Sequence, residues 1–358
     1  MKRIIGIFRG FPGLGRIVAG VSILEYLRDN YGYEIMFISY LQGKKYLESR
    51  GYDTLQEVTP MDYCSIGLLP TNNIGHYIHD IINKFNPEII VIDGEPLILQ
   101  SIKISHPNIK IVSLLNPSDI DNPHNNQEAM DFFKEMYSLS DLGIVHGLRI
   151  LEHNEKFNDF ISVNTIIRNE VISIKNVPTN NIYCVLGGGT INVGEQFVET
   201  TLHIGLLCKK VAAYFPKYRI NILCSSKNIY DELNRDNCPN NVFLYKEIIP
   251  AEHYYKDACL VITRSGRNTL SELAYLGIPA ISIVTGDIYR RYEQVQNIKD
   301  LNVSNIQSFS MEGTISDFIE IMNTMIKLGK QENNFKVGNQ LSCLLYTSPS
   351  PRDPKTSR

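Results

Sequence analysis

The segment from Leu260 to Ile283 constrains the fold more strongly than any other part of the chain. It opens with an apolar run typical of a buried strand, passes through a polar turn and a helix-like stretch, and closes with a second apolar run. Gly277 followed by Pro279 predicts where the helix ends, because glycine tolerates positive φ and proline cannot continue a helix. The segment therefore predicts a strand–turn–helix–strand unit of a parallel sheet.

The polar face of this predicted helix suits a phosphorylated ligand. Ser265, Asn268 and Glu272 share one face, opposite the apolar one. In a parallel sheet such a turn lies at the carboxyl edge, and a helix N-terminus there offers N–H groups and a favourable dipole to a phosphate. Glu272 follows about 6 Å further along, at ~1.5 Å per residue, and could accept hydrogen bonds from sugar hydroxyls. An ordinary αβ unit with a solvated polar face remains the alternative.

The run from Arg264 to Ala280 resembles the nucleotide-sugar signature in the C-terminal domain of family 28 glycosyltransferases. That group includes the lipid-linked N-acetylglucosaminyltransferase of peptidoglycan synthesis. The resemblance implies a GT-B architecture in which the turn holds the donor diphosphate and the helix glutamate holds the ribose. The positions that it assigns to donor binding here are Arg264, Ser265, Gly266, Asn268, Thr269 and Glu272.

Two further elements of the second half resemble the same family. Glu293, Gln294 and Asn297 match its acidic-Gln-x-x-Asn element, which faces the donor sugar. The glycine-rich turn that follows the predicted strand from Asn181 matches a turn that approaches the donor phosphate. Its candidate residues are Gly188, Gly189 and Thr190, and a tight turn without a ligand is the alternative.

Composition bounds the class of protein. A chain of 358 residues with 43% apolar residues suits two globular domains. Lys+Arg 35 against Asp+Glu 38 gives no basic excess, which argues against nucleic acid as a partner. No apolar run reaches the roughly 18 residues of a membrane span, and seven scattered cysteines suggest free thiols in a reducing cytosol. We therefore expect a cytoplasmic protein, with peripheral contact at the inner face of the membrane left open.

The order of predicted elements indicates two doubly wound, Rossmann-like domains that face a central cleft. We place an acceptor domain at 1–165, a linker at 166–180 and a donor domain at 181–330. A tail follows at 331–358, and from about residue 342 it resembles the translation of a sequencing adapter, so it is excluded from fold reasoning. Some proteins of this fold end in a helix that crosses back onto the first domain, and we expect that element to be truncated here.

The first predicted βα turn carries Gly13, Gly15 and Arg16. Together with Gly10, these glycines miss the G-x-G-x-x-G spacing of a dinucleotide site. The turn instead resembles the Gly-x-Gly-His turn that opens family 28 proteins, with Arg16 in the place of the histidine. Arginine stays protonated and cannot act as a base, although it could hold a phosphate or an anionic acceptor.

A catalytic base must then come from another position. Asp93 and Glu95 end a strongly apolar predicted strand, at the edge where carboxylates can deprotonate a hydroxyl. Capping of the following turn is their alternative role. His76 lies near the start of a predicted helix, with a solvated surface histidine as its alternative, and no third ligand is spaced to make His76 and His79 a metal site.

Taken with the resemblance, these features predict a hexosyltransferase-type glycosyltransferase. The donor would be a UDP-sugar, with UDP-N-acetylhexosamine as one candidate, and the acceptor would be a glycan, a lipid-linked molecule or a small molecule. Inversion at the anomeric carbon without a metal or another cofactor is the family expectation. Three alternatives stay open: a UDP-sugar hydrolase, a UDP-sugar 2-epimerase and a catalytically inactive nucleotide-sugar-binding subunit.

Overall fold

The chain forms two α/β units. The computed structural model describes residues 2–10, 14–54, 69–120, 122–151, 160–187, 195–224, 226–247, 249–285 and 288–339. The first unit comprises the described residues up to Ile166 and those from Val337 onward, and the second comprises Ile167–Lys336. The adapter-like tail predicted from about residue 342 lies outside the described residues.

The first unit is built on a six-stranded sheet in which every pairing is parallel. Its strand order is β2-β1-β3-β4-β5-β6, so the chain reverses its direction of winding between β1 and β3. The strands are β1 (Arg3–Phe8), β2 (Glu34–Ile38), β3 (Ile89–Asp93), β4 (Lys110–Leu115), β5 (Leu142–Gly147) and β6 (Phe160–Asn164).

Helices cover both faces of this sheet, which explains why its strands are predominantly apolar. Ile4, Val91 and Leu114 join one buried cluster, and Ile5, Ile90 and Ile92 join another. The alternation of neighbouring residues between the two clusters is that of a strand buried on both faces. The helices are α1 (Gly15–Tyr31), α2 (Leu41–Ser49), α3 (Leu69–Phe85), α4 (Pro96–Ser105) and α5 (Gln127–Ser138).

The second unit repeats this plan with a different strand order. Its six parallel strands run β12-β11-β10-β7-β8-β9, so the winding reverses between β7 and β10. The strands are β7 (Asn181–Val185), β8 (Arg219–Leu223), β9 (Val242–Tyr245), β10 (Ala258–Arg264), β11 (Ala280–Val284) and β12 (Ile306–Ser310). The helices are α6 (Asn169–Ile172), α7 (Glu195–Val211), α8 (Lys227–Asn234), α9 (Ala251–Tyr255), α10 (Arg267–Leu276), α11 (Ile288–Leu301) and α12 (Ile315–Leu328).

Gly277 ends α10 in the left-handed conformation, with φ of 68°, as its position before Pro279 predicts. A Cβ on Gly277 would also lie 1.7 Å from the carbonyl oxygen of Gln331. The amide of Gln331 in turn donates a hydrogen bond to the carbonyl of Gly277. Two features therefore require glycine at this position: the positive φ and the close approach of the chain at Gln331.

Backbone hydrogen bonds attach the segment that precedes β7 to the second unit and the segment at Gly338 to the first unit. Ile167 begins the second unit, where the amides of Val177 and Thr179 donate to carbonyls of Lys256 and Asp257. The amide of Gly338 donates to the carbonyl of Thr165 within the first unit. No helix among the described residues is both long and apolar enough to cross a membrane.

Candidate functional site

The polar turn predicted from the sequence lies at the switch point of the second sheet. β7 and β10 are neighbours, and the chain leaves their carboxyl ends towards opposite sides of the sheet. A crevice forms at such a point in parallel α/β sheets, and ligands bind there. Gly187, with φ of 84°, follows β7, while Arg264 ends β10 and Ser265 and Gly266 follow it. Gly188, Gly189 and Thr190 lie outside the described residues.

Ser265 anchors this turn to the sheet. Its hydroxyl shares a 2.6 Å hydrogen bond with the hydroxyl of Ser282 on β11, and both side chains are buried. The amide of Ser265 donates to the carbonyl of Ile283. The side chain predicted to contact a phosphate is thus engaged with the neighbouring strand, and it fixes the position from which α10 begins.

Gly266 is the N-cap residue of α10. It has φ of −75° and ψ of 129°, a conformation that any residue adopts, and it supplies no side-chain cap. A Cβ built on Gly266 would meet no atom within 4 Å. Neither backbone strain nor packing therefore requires glycine here. A helix N-terminus at a sheet switch point offers N–H groups and a favourable dipole to an anion.

Glu272 lies one turn further along α10 and is held by three hydrogen bonds. Its carboxylate accepts hydrogen bonds from Nε and Nη2 of Arg168, at 2.6 and 2.5 Å, and from the hydroxyl of Tyr255 at 3.0 Å. Burial alone would lower the pKa of Arg168, but Glu272 outweighs it and raises that pKa well above its ordinary value. Glu272 is only 1% exposed. The carboxylate predicted to bind the ribose is therefore buried in a bidentate salt bridge with Arg168.

Gln294 makes two hydrogen bonds to one residue of the backbone. Its Oε1 accepts from the amide of Thr285, and its Nε2 donates to the carbonyl of Thr285. The residue predicted to face the donor sugar therefore fixes the chain where it leaves β11. Glu293 and Asn297, on the same helix, are half-buried.

The remaining donor-site candidates lie at the same edge of the second sheet. Arg264 ends β10, and Asn268 and Thr269 lie in the first turn of α10. All three are half-buried. The structure thus brings together the candidates carried by the turn and by α10, and it adds Arg168 and Tyr255, which the sequence did not single out.

The first sheet also carries its charged candidates at its switch point. β1 and β3 are neighbours, Phe8 lies opposite Asp93, and the amide of Arg9 donates to the carbonyl of Asp93. Gly94 has φ of 83°, and a Cβ there would lie 2.6 Å from Cδ of Arg16. The chain after β3 therefore needs glycine so that Arg16 can pass across it.

Arg16 is engaged by two carboxylates. Its Nη1 donates to Asp93 at 2.7 Å, and both Nη atoms donate to Asp119, at 2.8 and 2.6 Å. Burial would raise the pKa of Asp119, but the charge and hydrogen bonds of Arg16 outweigh it and hold that pKa below its usual range. The predicted phosphate-binding arginine is thus a counter-ion of the predicted base Asp93, and Asp119, in the polar segment that follows β4, joins the cluster.

Glu95 has a different environment from Asp93. Its Oε1 accepts a 2.5 Å hydrogen bond from the hydroxyl of Tyr40, and Nε of Arg9 lies 3.6 Å away. Burial raises the pKa of Glu95, although Arg9 and the Tyr40 hydrogen bond oppose the shift. Arg16 already balances the two aspartates. Burial therefore displaces the pKa of Glu95 in the direction that suits a general base.

The other candidates of the first unit are placed as follows. Gly15 is the first residue of α1, whereas Gly13 lies outside the described residues. His76 falls within α3, but its side chain lies outside the described part of the chain. Among the described residues, no group of three or more histidine, cysteine, aspartate or glutamate side chains could hold a metal ion.

Comparison with known proteins agrees with this architecture. Residues 204–310 match the model of the glycosyltransferase family 28 C-terminal domain. The match covers the turn after β10, α10 and α11, and it confirms the resemblance read from the sequence. No curated protein sequence matches the chain.

Several solved structures share the fold over nearly the whole chain. MurG of Acinetobacter baumannii is 12% identical with a TM-score of 0.54, and the alignment covers 96% of this chain and 94% of that one. The UDP-GlcNAc 2-epimerase of Neisseria meningitidis, solved bound to UDP-GlcNAc, is 14% identical with a TM-score of 0.62 and coverages of 96% and 99%. The glycosyltransferase SnogD of Streptomyces nogalater is 12% identical with a TM-score of 0.60 and coverages of 97% and 99%. The predicted GT-B fold, with two Rossmann-like units, is confirmed.

Proposed function

We propose that the protein is a glycosyltransferase that moves a sugar from a UDP-sugar to an acceptor, with inversion and without a metal. The second unit would bind the donor, and the first unit would supply the base and bind the acceptor. UDP-N-acetylhexosamine is the donor that we would test first, because two of the structural relatives are epimerases solved with UDP-GlcNAc.

The observation that carries this proposal is the position of the N-terminus of α10, which has no side-chain cap from Gly266, at the switch point of the second sheet. Neither backbone strain nor packing requires glycine at this position, and a Cβ there would meet no atom within 4 Å. A diphosphate at this place would accept hydrogen bonds from the first N–H groups of α10 and gain from the helix dipole. As the bond to the sugar breaks, the same groups would stabilise the leaving UDP, which is electrostatic catalysis that needs no proton transfer.

Glu95 is the base that the local chemistry favours. A general base works best when its pKa lies near the working pH, and burial moves the pKa of Glu95 in that direction. Asp93 is held by Arg16 and would instead keep Arg16 and the chain after β3 in place. His76 remains a further candidate base from the sequence.

One observation favours a second function, that of a UDP-sugar 2-epimerase. The first unit gathers three carboxyl groups, those of Asp93, Glu95 and Asp119, around Arg9 and Arg16 at one sheet edge. Inversion at C2 requires a proton to be removed and one returned. Burial raises the pKa of Glu95, whereas Arg16 lowers the pKa of Asp119, so the two carboxyl groups differ in the way such a pair requires.

Thermal unfolding with UDP-, dTDP- and GDP-sugars tests the donor proposal. A bound donor stabilises the folded protein by about 2.7 kcal/mol at a hundred times its Kd, so one UDP-sugar should raise the unfolding temperature. Nuclear magnetic resonance of the recovered nucleotide sugar then separates the functions. UDP release only with an acceptor supports the transferase, release with water alone supports a hydrolase, and inversion at C2 supports the epimerase. Absence of any shift would exclude the donor site.

A further inference from the structure

Arg9 and Glu95 face each other across the switch point of the first sheet, and each keeps one buried polar atom without a hydrogen bond. Arg9 follows β1 and Glu95 follows the adjacent β3, with Nε of Arg9 3.6 Å from Oε1 of Glu95. Within the described part of the chain, Nε of Arg9 and Oε2 of Glu95 have no hydrogen-bond partner. Buried polar groups in native proteins are normally satisfied, by protein, water or a ligand.

The local structure holds both side chains in place. Tyr40 is buried and donates its hydroxyl hydrogen to Oε1 of Glu95, which leaves Oε2 as the remaining oxygen. A Cβ on Gly10 would lie 1.7 Å from the carbonyl oxygen of Tyr40, so the chain beside Arg9 packs directly on the backbone of Tyr40. The two unsatisfied atoms therefore belong to a closely packed cluster.

The chemistry of the two atoms selects one class of ligand atom. Nε of Arg9 can only donate a hydrogen bond, and a carboxylate Oε2 can only accept one. A hydroxyl oxygen satisfies both, because it carries a proton and lone pairs. An ammonium group has no lone pair for Arg9, and a phosphate oxygen has no proton for Glu95. Because Nε lies 3.6 Å from the same carboxyl group, one oxygen can lie about 2.9 Å from both atoms.

We propose that Arg9 and Glu95 bind a single hydroxyl oxygen, which is water in the resting protein and the hydroxyl of the acceptor during transfer. This inference rests on the proposed function and makes the acceptor an alcohol. Glu95 is 1% exposed whereas the side chain of Arg9 is 15% exposed, so the acceptor approaches Glu95 along Arg9.

The reaction step balances within this arrangement. Oε2 of Glu95 takes the proton of the hydroxyl while its oxygen forms a bond to the anomeric carbon of the donor. The bond from that carbon to the diphosphate oxygen breaks, and UDP leaves with the electron pair. Arg9 holds the attacking oxygen through one of its lone pairs and does not exchange a proton.

Kinetics of UDP release from the donor that stabilises the protein, with water and then glycerol as the hydroxyl source, test the assignment. Arg9→Lys keeps the charge but loses the Nε–H, and we expect the rate to fall roughly tenfold to a hundredfold, as for one charge-assisted hydrogen bond. The rate of UDP release by Glu95→Gln should fall by about 10²-fold or more. Donor affinity should stay within about twofold of wild type for both, since a hydrogen bond to the nucleophile adds nothing to donor binding.

The pH profile separates a positioning role of Arg9 from an electrostatic one. Arg9 opposes the raised pKa of Glu95, so Arg9→Met should move the acidic limb of the profile, where Glu95 becomes protonated, to higher pH. Arg9→Lys should lower the rate and leave that limb in place. Arg28→Lys, on an exposed arginine of the same unit, is the matched control and should match wild type.

The outcomes are distinguishable. If the wild type binds no UDP-sugar, the proposed function is overturned. Normal donor binding with an Arg9→Lys rate equal to that of Arg28→Lys overturns the hydroxyl subsite alone.

A high-resolution crystal structure of the resting protein gives a second measurement. One ordered oxygen between Nε of Arg9 and Oε2 of Glu95 supports the subsite, and direct pairing of either atom with another protein group contradicts it. Transfer of the sugar to glycerol supports binding of an acceptor hydroxyl at this subsite. Turnover with water alone limits the subsite to hydrolysis and contradicts the acceptor role.

Discussion

Arg168 donates two hydrogen bonds to the carboxylate of Glu272 across a sequence separation of 104 residues. This pair joins the segment that opens the second unit to the helix whose N-terminus forms the candidate donor site. Tyr255 adds a third hydrogen bond to the same carboxylate. If Glu272 contacts a ribose, it does so with a side chain that Arg168 and Tyr255 have already oriented.

Removing Arg168 should be strongly destabilising. Arg168→Ala leaves the buried carboxylate of Glu272 without its counter-ion, and we expect a loss of about 3–5 kcal/mol in the free energy of unfolding, measured with urea. Arg235→Ala is the matched control, because Arg235 pairs with Glu232 on the surface and is 71% exposed. That variant should change stability by at most about 1 kcal/mol. Similar values for the two variants would mean that the Arg168–Glu272 pair is not buried in solution.

Gln294 should act on donor binding through Thr285. Gln294→Ala removes two hydrogen bonds to the backbone of Thr285, each worth about 0.5–1.5 kcal/mol, and frees the chain after β11. We expect a loss of about 1–3 kcal/mol in stability and weaker binding of the donor, measured by urea unfolding and calorimetry. Gln296→Ala, on the same helix with one bond to Asp300, should change neither quantity appreciably. Equal effects in the two variants would contradict the role assigned to Gln294.

Glu95→Gln should stabilise the protein at neutral pH while it slows the reaction. Burial raises the pKa of Glu95 in the folded protein, so the folded state holds this proton more tightly than the unfolded state does. The corresponding stability is present below the unfolded pKa, about 4.3, and is lost as the pH rises through the folded value.

Glutamine has no proton to lose, so the unfolding temperature of Glu95→Gln should exceed that of wild type near pH 7, and the difference should shrink towards pH 4. Thermal unfolding over this pH range measures it. A difference that grows as the pH falls would show that Glu95 is ionised and stabilised by its neighbours. Glu232→Gln, on an exposed pair, is the control.

The sequence predicted the local elements well because their signals are local. The apolar runs marked β1, β3 and β10, and Gly277 before Pro279 marked the end of α10, since periodicity and turn chemistry act over a few residues. The GT-B architecture followed from the order of those elements together with the resemblance.

The partners of the candidate residues could not be read in the same way. Arg168 lies far from Glu272 in sequence, and Asp119 lies 103 residues from Arg16. Their pairing depends on how the strands are ordered in each sheet, which no local pattern encodes. The sequence therefore identified Arg16 as a ligand-binding cation, whereas the structure shows it occupied by two carboxylates.

Gly266→Ser tests the central claim, that the N-terminus of α10 binds the diphosphate of a nucleotide sugar. Serine fits the φ and ψ of this N-cap position, and a Cβ there meets nothing within 4 Å. Its hydroxyl would accept a hydrogen bond from the first turn of α10, so stability should stay within about 0.5 kcal/mol of wild type or rise slightly. The same bond takes an N–H group from the phosphate.

Calorimetric titration of the wild type and Gly266→Ser with UDP-N-acetylglucosamine, and with the UDP-sugar that gives the largest thermal shift, is the most direct measurement. Our account predicts unchanged stability with binding that is about tenfold to a hundredfold weaker, the factor for one hydrogen bond to a charged group. Equal affinity for the two proteins, or no binding by the wild type, would contradict it.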